Sequence, residues 1–122
     1  MTCDEAKLTD EERELVDDAR KDDISFLWVL IHLGIMGNPP PFPSWRPSAM
    51  EVEKAITTLD KLATYGCIVV GRLDATGEVA PPGIPVVRHV KEPLQVVHDR
   101  VIASLDVPDP FEWKTACWVI AA

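Results

Sequence analysis

The side chains best suited to chemistry in this chain are its carboxylates and histidines, and their spacing decides how far each can be taken. Asp17-Asp18 and Asp22-Asp23 are adjacent acid pairs, and two close carboxylates can serve as acid and base. Both pairs lie in a strongly polar run, where a solvated helix face is the expected setting. His89 and His98 have acids nearby, but nine residues and a helix start separate them, and no metal-ligand spacing is matched. Ser25, Ser44, Ser48 and Ser104 are scattered, with no base placed beside any of them. There is no nucleophile elbow, no Gly-rich phosphate loop and no paired Cys-His spacing. Cys3, Cys67 and Cys117 are odd in number and far apart. Cys67 and Cys117 sit in apolar runs where cysteine packs as a small hydrophobe, so neither a disulfide framework nor a zinc site is expected. The expectation is a protein without enzymatic activity, cofactor or metal.

What remains is recognition, and the charge points to its kind. The chain of 122 residues carries a net charge of −8. Residues 1–23 hold ten acids and four bases, whereas residues 24–122 hold ten acids and eight bases. The acidity is therefore concentrated at the N-terminus, and no part has the basic footprint of a nucleic-acid binder. Glu11, Glu14, Asp17 and Asp18 face outward if residues 9–21 form a helix that buries Leu15, Val16 and Ala19. Such a face either aids solubility or docks a basic partner. Phe42 and Trp45 lie in Gly37-Asn38-Pro39-Pro40-Pro41-Phe42-Pro43-Ser44-Trp45-Arg46-Pro47, a stiff, extended loop of polyproline type. They either fold back onto the core or project as anchors for a partner.

The elements that must position these residues are legible from caps and periodicity. Thr9 with Glu12 and Ser48 with Glu51 have capping-box spacing and start two helices. Residues 1–8, ahead of the first cap, are expected to fray. Asp23-Ile24-Ser25 starts a helix or forms a short strand. Phe26 to Ile35 is apolar nearly all round and calls for burial or cover. His32 within it is expected to be a core histidine bonded to backbone. Val52, Ala55, Ile56, Leu59, Leu62 and Ala63 form the apolar stripe of a helix that Gly66 ends. Cys67-Ile68-Val69-Val70 then reads as a strand. Asp74-Ala75-Thr76-Gly77 reads as a turn, and residues 78–87 as a return strand interrupted by prolines. A further helix starts at Lys91-Glu92-Pro93, Val107-Pro108-Asp109-Pro110 breaks the chain, and Thr115 to Ile120 forms a last strand.

Residues 55–70, read as helix, small turn, glycine and apolar strand, resemble the second half of a winged-helix domain. In that superfamily the helix enters DNA and the hairpin forms a wing. The resemblance assigns Lys54, Thr57, Thr58 and Lys61 to the recognition face and Arg72 to the wing. Glu51, Glu53 and Asp60 share that face and oppose a polyphosphate. A homodimer would gather Lys54, Lys61 and Arg72 into one patch. The whole chain also resembles small, uncharacterised actinobacterial proteins. These join a Ser-Phe/Leu segment near position 25 to this unit and to a Trp-containing terminal strand.

The resulting expectation is an α+β fold with a winged-helix-like helical core and a small antiparallel sheet, made of a hairpin plus the C-terminal strand. It forms one domain over residues 9–122. The expected role is protein binding, in its most concrete form an immunity or antitoxin-like inhibitor with a basic partner. Its docking residues would be Glu11, Glu14, Asp17, Asp18, Phe42 and Trp45. The alternative is a DNA-binding transcriptional regulator. No apolar run has the length of a membrane span and the N-terminus lacks the look of a signal peptide, so a cytoplasmic protein is expected.

Overall fold

A computed structural model of the chain describes residues 3–36 and 45–122. Over these residues the fold is α+β, with five α-helices and a four-stranded antiparallel sheet. The elements run α1 (Asp10–Lys21), β1 (Ile24–Ser25), α2 (Phe26–His32), α3 (Ala49–Thr64), β2 (Ile68–Ala80), β3 (Ile84–Lys91), α4 (Leu94–Ser104), α5 (Pro110–Lys114) and β4 (Trp118–Ala121). The sheet order is β1-β4-β2-β3, so the C-terminal strand enters between the first two.

Both capping boxes form. Thr9 Oγ1 accepts from the Glu12 N–H while Glu12 accepts from the Thr9 N–H, and Ser48 and Glu51 repeat the exchange at α3. Gly66 ends α3 with φ 75°, a left-handed conformation that a residue with a Cβ rarely adopts. The buried side chains of α1, α2, α3 and α4 join Ile24, Ile68, Val70 and Val119 of the sheet in one core. Sheet registers place Ile24 opposite Val119, and Val119 opposite Val70. The helices therefore pack on one face of the sheet, because opposed residues of an antiparallel pair share a face.

Several expectations are corrected. Residues 74–77 are not a turn: β2 runs on to Ala80, its pairing with β3 shifts between Ala75 and Val79, and the hairpin turns at Pro81, Pro82 and Gly83. Gly77 supplies its positive φ of 81° to this bulge instead of to a tip. Residues 3–8 are held, not frayed. Leu8 is buried, residues Glu5–Lys7 form a 3-10 turn, and Cys3 is disulfide-bonded to Cys67 with the two Cα atoms 4.6 Å apart. Sequence spacing concealed that bond, because α1 packs against β4, and β4 pairs with β2 beside Cys67, so that residues 64 positions apart become neighbours. His32 is not bonded to backbone; its Nε2 lies 2.7 Å from Asp18 Oδ2 of α1, without hydrogen-bond alignment. No helix among the described residues is long and apolar enough to cross a membrane.

Candidate functional site

The candidate site is built on α1 and the short link from it to α2. Core packing of Leu15, Val16 and Ala19 fixes the rotation of α1 and leaves two polar stripes outside. Asp10, Arg13, Asp17 and Arg20 form one stripe, in which Arg13 Nη1 lies 2.7 Å from Asp10 and Arg20 Nη1 lies 2.8 Å from Asp17. Glu5 adds a second carboxylate to Arg20 at 2.7 Å. These charges offset one another. Glu11, Glu14 and Asp18, spaced i, i+3 and i+7, form the other stripe. Glu11 and Glu14 are exposed and make no ion pair among the described residues. The four carboxylates expected to act together are thus divided: Asp17 belongs to the neutralised stripe, and Asp18 is shared with His32.

The acidic stripe runs into a hollow of about 250 Å³ lined by Asp18, Lys21, Asp22, Asp23, Ile24 and Trp28. Trp28 is 44% exposed although it sits in the most apolar helix of the chain. The geometry of the turn explains this. β1 is two residues long and α2 starts immediately after it, so Phe26, Val29 and Leu30 point into the core and Trp28 is turned out. The lining sets three carboxylates against the one ammonium of Lys21 beside the indole, and this negative balance, with the quadrupole of the ring, attracts a cation. Among the described residues no three His, Cys, Asp or Glu side chains converge as a metal ion requires. The spread carboxylates of this hollow suit a broad organic cation such as a guanidinium. Trp28, Asp22 and Asp23 were not singled out as site residues from sequence. The available signal was a tryptophan two residues after Phe26, on the side opposite the core-facing residues.

Of the aromatic loop, Phe42 lies outside the described residues. Trp45 is half-buried and meets Trp113 edge-on, with ring centroids 5.8 Å apart and an interplanar angle of 63°. Arg46 donates to the Pro108 carbonyl at 2.9 Å, which ties this end of the loop to the segment between α4 and α5. Trp45 therefore serves packing here.

The residues assigned to DNA contact are also placed. Lys54 and Thr57 are exposed on α3, and Thr58 donates its hydroxyl to the Lys54 carbonyl. Lys61 turns toward α1 and donates to Glu12 at 2.8 Å. Burial works against the ionised form of Glu12, but the Lys61 ammonium and the Thr9 N–H outweigh it and hold its pKa below the ordinary value. Arg72 grips Asp74 with two nitrogens at 2.8 and 2.9 Å and Glu92 with a third at 3.0 Å. Glu92 also accepts two bonds from Arg100, which in turn donates to the Ala116 carbonyl. Two of the three bases assigned to DNA are thus committed within the fold. No protein family, curated protein or solved structure matches the chain.

Proposed function

We propose that this protein is a non-enzymatic protein-binding module. It takes an arginine or lysine side chain of a basic partner into the hollow at Trp28. The observation that carries this reading is the half-exposed indole of Trp28 in a hollow where Asp18, Asp22 and Asp23 outnumber the one cation, Lys21. Glu11 and Glu14 extend the negative field along α1 and steer a cationic surface toward the hollow, raising the association rate more than the final affinity. An immunity or antitoxin-like inhibitor that caps a basic cleft is the most concrete form of this role.

A basic peptide tests the reading. Titration with an arginine-containing peptide should shift the Trp28 indole N–H resonance, assigned by its loss in Trp28→Phe. Affinity should fall as salt rises, and Asp22→Asn with Asp23→Asn should weaken it by about tenfold. Equal response to basic and acidic peptides, or an unmoved Trp28 signal, would discard the proposal.

A second reading, a winged-helix DNA-binding regulator, draws support from α3 leading directly into the β2–β3 hairpin. Its exposed contacts reduce to Lys54 and Thr57, with Lys61 and Arg72 engaged in ion pairs. Absence of duplex binding at low salt removes it. A cytoplasmic setting remains the proposal from the sequence, and the Cys3–Cys67 bond bears on it directly. In a reducing cytoplasm this pair exists as two thiols, whereas an oxidising compartment keeps it closed.

A further inference from the structure

The sheet order leaves β3 at an open edge, and the ladder shows which backbone groups that edge presents. Antiparallel partners alternate between pairs that exchange two backbone bonds and pairs that exchange none. The Glu92 N–H donates to the Val70 carbonyl at 3.1 Å, and the Ala122 N–H donates to the Cys67 carbonyl at 3.1 Å. Even-numbered residues of β2 therefore bond toward β3, and odd-numbered ones toward β4. Val90 opposite Arg72 and Arg88 opposite Asp74 turn their backbone groups toward β2. Val87, His89 and Lys91 turn theirs outward. Among the described residues nothing meets those three N–H and three C=O groups. Pro85 falls in the same outward set, where a missing N–H costs the ladder no bond.

We infer that this edge takes an extended, acidic segment of another polypeptide as an added strand. The open backbone groups supply the bonds, and charge selects the occupant. Residues 81–91 contain no carboxylate, in a chain of net charge −8. Arg88 and Lys91 are exposed and make no ion pair among the described residues. The acids beside them are already held. Asp74 gives both oxygens to Arg72, and Glu92 is gripped by Arg72 and Arg100. Glu78 lies in the bulge, beyond the stretch of β2 that pairs with residues 87–91. The acids of α1 are remote from this edge, since α1 packs on β4 and the Trp28 hollow adjoins β1, at the other side of the sheet. Three inter-strand steps of about 4.8 Å separate β1 from β3, which exceeds the screening length of about 8 Å at physiological salt. A second copy does not suit the edge. Its β3 would set Arg88 and Lys91 beside the same two cations with no acid between them, the device by which edge strands avoid one another. An acidic strand converts that repulsion into cross-strand attraction. Arg88 and Lys91 lie on opposite faces of β3, so the added strand needs carboxylates on both of its faces.

This inference is independent of the Trp28 hollow, which takes the opposite charge. Amide hydrogen exchange of the full chain tests it, with a synthetic peptide of Val and Glu that carries carboxylates on both faces. Without peptide, the Val87, His89 and Lys91 amides should exchange at least about tenfold faster than those of Arg88 and Val90. The acidic peptide should slow the three outward amides by about tenfold or more and leave the Trp28 indole N–H unmoved. The same peptide with Lys in place of Glu should leave them fast. So should an acidic peptide of equal charge with proline at alternate positions, which has lost the donors. Arg88→Glu with Lys91→Glu should transfer the response from the acidic peptide to the lysine one, which also shows that the variant is folded. Lys91→Gln alone should weaken acidic capture while circular dichroism stays unchanged. Outward amides that stay fast with the acidic peptide overturn the inference, as does equal slowing by the lysine peptide. Slowing that grows with protein concentration and no peptide overturns it too, because the edge then belongs to a second copy.

Discussion

Glu92 shows how much a single carboxylate can hold. It joins Arg72 at the root of the hairpin to Arg100 on α4, and its side chain is only 8% exposed. The Arg100 guanidinium holds its pKa below the ordinary carboxylate value; burial opposes this, and Arg72 assists. A depressed folded-state pKa contributes stability that is present above the unfolded value and disappears as pH falls through the folded one. Chemical denaturation should therefore show stability falling on acidification below the ordinary carboxylate value of 4.5, and Glu92→Gln should flatten that slope. Because both arginines keep partial solvent contact, Glu92→Gln should cost about 2–3 kcal/mol rather than the larger penalty of a fully buried pair. Cys117 behaves in the opposite sense. Burial pushes its thiol from 9.0 up to about 12. Its contribution is intact below the unfolded value and is lost as pH rises from there toward the folded one. The folded protein should resist thiol alkylation at Cys117 at neutral pH, and unfolding by denaturant should expose it to labelling. The burial of Cys117 was legible in its apolar run, but the role of Glu92 was not. Glu92 read as part of a helix start, and the partners that define it sit 20 and 8 residues away.

At the scale of elements, caps carried most of the information. Thr9, Glu12, Ser48 and Glu51 specify helix starts through bonds between residues three apart, so the signal is wholly local. Ser48→Ala should cost about 1 kcal/mol, readable as a lower urea midpoint. The hairpin was misread for the converse reason. Asp74 has turn-forming chemistry of its own, but Arg72 takes both its oxygens and holds the strand extended past it. Thr76 likewise donates to the Val86 carbonyl across the hairpin. Gly71 is the residue on which the crossing of β2 and β3 depends. A Cβ there would collide with the Val90 carbonyl, which is backbone and cannot turn aside. Gly71→Ala should destabilise by about 3 kcal/mol or more and disturb the adjacent contact between Arg72 of β2 and Glu92, just past β3. The orientation of Trp28 had only its spacing from Phe26 as a signal, and reading it depends on where a two-residue strand stops.

For the molecule as a whole, the sequence conveyed the α+β class and the burial of Leu15, Val16, Ala19, Val52, Ala55, Leu59 and Leu62. It did not convey that the buried side chains of the helices gather on the face of Ile24, Val70 and Val119, since those three share a face only once β4 lies between β1 and β2. Nor did it convey the Cys3–Cys67 link, which needs the packing of α1 on β4 and the pairing of β4 with β2 before the two residues meet. That link closes a separation of 64 residues. On the chain-entropy account it stabilises by about 4 kcal/mol, so Cys3→Ser should lower the urea midpoint clearly, and a reducing agent should do the same to the unmodified protein while leaving Cys3→Ser unchanged.

The same link has a practical consequence for how the chain comes apart. A protease that cuts once anywhere between Cys3 and Cys67 yields two pieces that remain one molecule. On a denaturing gel without thiol they would migrate together, and with thiol they would separate. The ladder of masses released by reduction would then map which stretches of that span a protease can enter while the rest of the molecule stays intact.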